Sequence, residues 1–236
     1  MLTNLLHIND IIDMVKITWL GHAAFKIEAS KYTFLIDPWV KDNPKSPLKS
    51  YKEIEKADFV LVTHDHQDHG FEDALKICKN TNAAFIGVYE LVELARKKSC
   101  KSYGGNIGGE IQIDDIKVFF TQAIHSSNIA SPCGFIVNLH DVTFYHTGDT
   151  AFYSDMEYLS RLYNIDIMMI PICSNYMMGV TEATWAVEKV KPKIVIPCHF
   201  NTIPILETNP FEFKERVDKY SEVEILSPGK SKIFEL

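Results

Sequence analysis

The chain has 236 residues, 46% of them hydrophobic and 23% charged, a globular composition that excludes a disordered or fibrous protein. At this length folding buries roughly 70–75% of the unfolded surface, so a sizeable core forms without staples. A formal net charge of -7 excludes a broad nucleic-acid-binding face but not a small anionic substrate, because a bound cation can supply local positive charge.

The N-terminal stretch MLTNLLHINDIIDM lacks a basic n-region and a small-residue cleavage site, so no signal peptide is expected. No apolar run approaches the ~20 residues a membrane helix needs. Short β-type runs follow at residues 15–20, 23–27 and 32–36, separated by turns at Gly21-His22 and Ser30-Lys31. Asp37-Pro38 ends the third run, and residues 42–50 read as a loop from their Pro, Asn and Ser content. Residues 59–62 form a continuous apolar run of the kind buried on both sheet faces. Helical spacing then takes over at Phe71, Leu75 and Cys78, and again at Leu91, Leu94 and Ala95, with a short strand at 83–88 between.

Residues 103–109 hold four glycines in seven positions and predict a loop. Strands are predicted at 110–113, 117–121, 134–139 and 143–146. Further strands at 165–170 and 194–197 alternate with helices at 154–163 and 181–190, the second capped by Thr181. A last helix at 210–220 precedes a terminal strand pair at 223–226 and 232–234. The order strands, helices, strands, helices runs through twice. It predicts an α/β fold of two mixed sheets packed face to face with helices outside, each half supplying one sheet. Residues 14–236 are expected to form one domain, with 1–13 as a poorly ordered or peripheral extension. The five cysteines, Cys78, Cys100, Cys133, Cys173 and Cys198, form no CxxC pair and are expected to be buried thiols. The chain therefore reads as soluble and cytoplasmic.

The nine histidines are not scattered. The segment THDHQDHG places His64, His66, Asp68 and His69 within six residues, just past the end of a buried strand. His64 and His66, two apart on an extended chain, point to the same side and can grip one metal ion. Asp68 and His69 lie on the continuing turn and can face a second ion, at the separation of roughly 3.5–4 Å usual for metal pairs. His125, Asp149 and His199 each sit just past the C-terminal end of an apolar run, where loops gather at one sheet edge. The expected assignment is His64, His66 and His125 to the first metal, Asp68, His69 and His199 to the second, and Asp149 bridging both.

These motifs, HDHQDH, His125, Gly148-Asp149-Thr150 and Cys198-His199, resemble the metallo-β-lactamase superfamily over nearly the whole chain. The resemblance implies a four-layer αββα sandwich. The runs ITWLGHAAF, FLIDPW, YHTGDT and HFNT are similar to a group of small metal-dependent hydrolases that includes L-ascorbate 6-phosphate lactonase-like enzymes. It implies a second, orienting role for Asp37 and a place near the site mouth for His22. His146, inside a strand, is expected to make a structural hydrogen bond, and Met177 and Met178 to pack. The segment PICSNYMMGVT departs from that group, with Cys173-Ser174 before Asn175. Asn175 and Asn201 are expected to reach substrate.

The expected activity is hydrolysis of an ester, lactone, thioester or phosphodiester, with two divalent ions lowering the pKa of a bridging water and Asp68 steering or accepting the proton. Zinc is the default for a nitrogen-rich site, with manganese, iron and nickel as alternatives. The competing readings are an iron-dependent oxidoreductase or dioxygenase of the same fold, and a metal-binding protein without catalysis. Diiron flavoproteins carry Glu where this chain has His66 and add a flavin module for which no residues remain, and degenerate scaffolds lose ligands. The expected partner is a small-molecule substrate, anionic ones included, with homo-oligomer formation left open and no membrane or extended nucleic-acid surface.

Overall fold

The computed structural model describes residues 14–140 and 142–236; the expected extension at 1–13 lies outside them. The β-branched and aromatic runs of the first half pair into one sheet. It contains β1 (Met14–Gly21), β2 (Ala24–Ala29), β3 (Tyr32–Ile36), β4 (Phe59–Leu61), β5 (Ala84–Val88) and β6 (Ser102–Gly105). The second half builds another from β7 (Glu110–Ile113), β8 (Ile116–Gln122), β9 (Cys133–Asn138), β10 (Thr143–His146), β11 (Ile167–Pro171), β12 (Ile194–Cys198) and β13 (Glu222–Val223). The last strand, β14 (Ser231–Glu235), returns to the first sheet and pairs antiparallel with β1. The sheet orders are β14-β1-β2-β3-β4-β5-β6 and β13-β12-β11-β10-β9-β8-β7.

Each sheet is half antiparallel and half parallel. In the first, β3 to β6 run parallel, and in the second β10 to β13 do. The parallel strands β4, β5, β11 and β12 are buried at every position, which is why they read as continuous apolar runs rather than alternating ones. Parallel neighbours need crossovers, and helices supply them. α1 (Phe71–Thr81) and α2 (Tyr89–Lys97) pack on the first sheet, and α4 (Val180–Val190) links β11 to β12 after α3 (Met156–Leu162). α5 (Pro210–Val217) packs against α4 and β13. Between the sheets the inward side chains interlock: the Phe34 and Phe144 rings meet edge to face at 5.3 Å. The result is the four-layer αββα sandwich.

Three local expectations change. The glycine-rich stretch predicted as a loop begins as strand β6, parallel to β5. Its glycines serve close approach: a Cβ on Gly105 would collide with the Phe120 ring, and one on Gly104 would press on Val92 at 3.3 Å. α4 starts at Val180, with Gly179 rather than Thr181 at the cap, because the Glu182 carboxylate turns back to accept from Gly179 N at 3.1 Å. The two terminal strands do not pair with each other. β13 extends the second sheet beside β12, whereas β14 closes the edge of the first against β1. All five cysteines are buried free thiols. Among the described residues no helix is long and apolar enough to cross a membrane.

Parallel direction has a consequence for function: β3 and β4 end at the same edge as β10 and β12, so the loops after them converge. Gly70 makes one of those loops possible. It sits at φ +66, between the histidine segment and α1, with Pro38 C and Trp39 N each 2.5 Å from where a Cβ would be. Gly70→Ala therefore meets both a left-handed backbone and a main-chain clash, and is expected to cost at least about 2 kcal/mol in urea unfolding.

Candidate metal centre

The site is built from strand ends. His22 lies in the β1–β2 turn, Asp37 follows β3, the THDHQDHG segment follows β4, and His125, Asp149 and His199 follow β8, β10 and β12. His199 N donates to His22 O at 2.9 Å and Cys133 N to Thr63 O at 3.1 Å, stitching the loops of the two sheets together. Ile124 N donates to Thr150 Oγ1 at 2.9 Å and Ala151 N to Ile124 O at 3.0 Å, which sets His125 beside Asp149. Three site residues hold strained backbone: His22, Asp37 and His199 adopt φ of 58°, 45° and 55°, a region side-chain-bearing residues rarely occupy.

The side chains fall into three overlapping groups, each with ligand atoms within 4.8 Å of one another: His64, His66 and His125; His22, Asp68, His69 and His199; and His64, His69 and Asp149. Asp149 Oδ2 stands between the first two, 3.1 Å from His69 Nε2, 3.3 Å from His199 Nε2 and 3.7 Å from His125 Nε2.

Hydrogen bonds decide which ring nitrogens are available. Asp37 is fully buried and accepts from Thr63 N at 2.8 Å, Thr63 Oγ1 at 2.7 Å and His69 Nδ1 at 2.7 Å. Since the Thr63 hydroxyl proton goes to Asp37, its oxygen accepts from His64 Nδ1 at 3.0 Å. His64 is thereby fixed as the Nδ1–H tautomer with its Nε2 lone pair turned inward, and the His69 ring is held by its Nδ1–H with Nε2 facing the site. The buried Nε2 atoms of His69 and His199 make no aligned hydrogen bond, although both lie against Asp149 Oδ2. Buried polar nitrogens are rarely left so, and a cation would satisfy both. The donor set, imidazoles with two carboxylates, is that of a borderline transition-metal site.

Without a cation, the carboxylates favour protons on His69 and His199, where a metal would replace them. Burial and the neighbouring His69 push the His64 imidazole down to about 2, and burial with His199 pushes His22 down to about 4. Burial also opposes charge on His69 and His199, but Asp149 outweighs it: His69 is held well above its ordinary value and His199 is raised to about 10. Burial would raise Asp149, yet His199 and His69 hold it well below the carboxylate range. For Asp68 the His22 hydrogen bond and His69 overcome burial, so it too lies below that range.

A profile of the Beta-lactamase superfamily domain matches residues 16–199, a span that contains all of these residues. The chain belongs to the metallo-β-lactamase superfamily. A UPF0173 metal-dependent hydrolase of Korarchaeum cryptofilum is 42% identical over 221 residues, covering 92% of this chain and 99% of its own length. Another, from Staphylothermus marinus, is 43% identical over 227 residues, covering 92% and 98%. Among solved structures, Igni18, a novel metallo hydrolase from Ignicoccus hospitalis, superposes with a TM-score of 0.89 at 34% identity, covering 94% of this chain and 99% of Igni18. The chain is a hydrolase of this superfamily.

The structure brings the superfamily motif residues together, and His22 joins them more closely than its turn position suggests. It is buried, and its Nε2 donates to Asp68 at 3.1 Å while its Nδ1 accepts from Thr202 Oγ1 at 3.0 Å. Both nitrogens are engaged, so His22 orients Asp68. His146 donates from Nε2 to Ala23 O at 2.9 Å and accepts from Gly148 N at 3.1 Å, a structural pair. The two asparagines stand elsewhere. Asn175 is exposed at a turn, its N donating to Cys173 O at 2.9 Å. Asn201 spends its side chain on Thr208, donating to its O at 3.0 Å and accepting from its N at 2.8 Å. Sequence reading passed over Thr63, whose place before the motif gives no sign of the relay, and Cys173, whose Sγ lies 3.4 Å from His199 Nδ1.

Two outcomes follow for purified protein. Asp37→Ala frees the His69 ring and is expected to weaken zinc binding about 10–100-fold in chelator-competition titrations. In chelator-stripped protein the raised His199 contributes stability that is whole below its ordinary value of 6.5 and is lost as pH rises through about 10. Thermal melts of the stripped protein should accordingly fall between pH 7 and 10, and zinc uptake should release protons over the same range.

Proposed function

We propose that the chain is a metal-dependent hydrolase that holds two divalent cations and cleaves an ester, lactone, thioester or phosphodiester bond in a small molecule. The observation that carries this reading is the buried Asp149 carboxylate between two imidazole groups, with the buried Nε2 atoms of His69 and His199 turned to it and making no aligned hydrogen bond. His64, His66 and His125 would hold one ion, Asp68, His69 and His199 the other, and Asp149 would touch both. Zinc suits the nitrogen-rich set best, with manganese, iron and nickel as alternatives. When bound, such a pair lowers the pKa of a shared water and polarises the bond to be cleaved.

The chain's own residues supply the rest. Asp37, directly on His69 and through Thr63 on His64, holds the outer ring nitrogens so that the inner ones face the site. His22 fixes Asp68, which faces the adjoining cavity as a carboxylate and accepts the proton given up by the attacking water. Burial of His64, His69, Asp149 and His199 excludes bulk water and strengthens each charge interaction.

Metal analysis of purified protein, followed by a screen of metal-reconstituted enzyme on aryl esters, lactones, thioesters and a bis-aryl phosphodiester, tests this. About two ions per chain and turnover of at least one substrate are expected. Asp149→Asn and His66→Ala should each lower kcat/KM at least about 100-fold. Equal rates in wild type and variants on every substrate, or iron with oxygen-dependent turnover, would overturn the reading.

A further inference from the structure

The cavity over the metal centre has two chemically distinct sides. One is the polar wall of His66, Asp68, His125, Asp149 and His199. The other is the apolar lining of Tyr176, Met177, Ile203 and Leu206, with Ser126 and Gln67 also lining the cavity, and no Lys or Arg among the described residues does so. Its volume is about 380 Å³, some dozen water volumes at about 30 Å³ each, room for a substrate group of about a dozen non-hydrogen atoms.

The apolar wall is built, not incidental. Leu206 and Met177 are 1% and 9% exposed and form its floor, while Ile203 and Tyr176 make the rim. Asn201 locks the segment carrying Ile203 and Leu206, through its two bonds to Thr208 and its own N accepted by a loop carbonyl in turn: Asn201 N donates to Leu206 O at 2.9 Å. Met177 is fixed by Met177 N to Ser174 O at 3.2 Å and Met178 N to Thr150 O at 3.1 Å. Lysines border only the neighbouring pockets: Lys45 one that shares Ile203, and Lys41, Lys76, Lys97 and Lys98 a trough that shares His66 and Gln67 and carries an equal number of carboxylates, with Lys76 paired to Asp73 at 3.4 Å.

We infer that the non-reacting part of the substrate is uncharged and apolar, and that the bond cleaved is an acyl ester, lactone or thioester; this rests on the hydrolase reading. A second anionic group would be stripped of water against Met177, Ile203 and Leu206 with no counter-charge. An aliphatic or aromatic acyl group instead buries its surface there, leaving its carbonyl for the polar lining. Water adds across the acyl carbon–oxygen or carbon–sulfur bond. The new bond joins the water oxygen to the acyl carbon, the bond to the leaving oxygen or sulfur breaks, and one water proton ends on that leaving group.

The test compares two esters of equal length on the metal-loaded enzyme, p-nitrophenyl butyrate and mono-p-nitrophenyl succinate, with bis-p-nitrophenyl phosphate alongside. The neutral ester is expected to show a kcat/KM at least about 10-fold above the carboxylated one. Ile203→Lys, at a rim position that tolerates a long polar side chain, should bring the ratio toward or below one at unchanged metal content, and Met177→Lys should do the same from the floor. A ratio of one or less in wild type, or a ratio unmoved in both folded, metal-replete variants, would overturn the inference. Cleavage of the phosphodiester alone would overturn it while leaving the hydrolase reading intact. Inactivity on all three substrates and on lactones and thioesters, at full metal content, would remove both.

Discussion

Everything at this site depends on one buried carboxylate. Asp37 is fully inaccessible to water, a placement that costs several kcal/mol unless its oxygens are well satisfied. Three donors satisfy them: Thr63 N, Thr63 Oγ1 and His69 Nδ1. The same three bonds carry the functional information, because they hold the His69 ring directly and set the His64 tautomer through the threonine hydroxyl. A carboxylate that merely capped the turn before Pro38 would need none of them. That Asp37 accepts a left-handed backbone at φ 45° to reach this position fits strain held by surrounding structure at a functional site.

The fold makes that interaction available by running β3 and β4 parallel, so that Asp37 and Thr63 leave neighbouring strands at the same edge. The second sheet repeats the arrangement with β10, β11 and β12, which deliver Asp149 and His199 to the facing edge. Neither sheet holds a complete donor set. The site is therefore coupled to the packing of the two sheets, and the Phe34–Phe144 contact and the His199 N to His22 O bond belong to the same assembly as the ligands.

Much of this was legible in the sequence because it rests on local pattern. Continuous apolar runs gave the buried parallel strands, and three histidines with an aspartate in six residues gave the ligand loop. What escaped depends on contacts between distant segments. Gly104 and Gly105 look like a loop until Phe120 and Val92 fill the space their missing side chains leave. Residues 223–226 and 232–234 look like a terminal strand pair, yet β13 and β14 each have a better partner in a different sheet. Asn201 follows His199 closely enough to suggest a substrate contact, but the turn through Thr208 claims its amide. His22 was ambiguous because one sequence position cannot reveal that Asp68 and Thr202 would meet its two nitrogens.

The two halves of the chain divide the work. The first half supplies Asp37, Thr63 and the four ligand candidates of the histidine segment, together with His22, and so fixes which atoms are presented and in what protonation state. The second half closes the donor set with His125, Asp149 and His199 and, from the loops after β8, β11 and β12, contributes Ser126, Tyr176, Met177, Ile203 and Leu206 to the cavity. The loops after β8 and β12 thus carry ligand candidates and wall together, whereas Asp37 and Thr63 contribute nothing to the wall. A change to the Met177 or Ile203 loop can alter what is bound without touching the Asp37 relay, whereas a change at Thr63 disturbs both inward imidazoles at once. The departure at Cys173-Ser174 lies where these roles meet: Cys173 touches His199 Nδ1 while Ser174, at φ 71°, sets the turn that carries Met177. A substitution there is coupled to the ligand and to the wall together, so that segment ties the geometry of the reaction to the shape of what reacts.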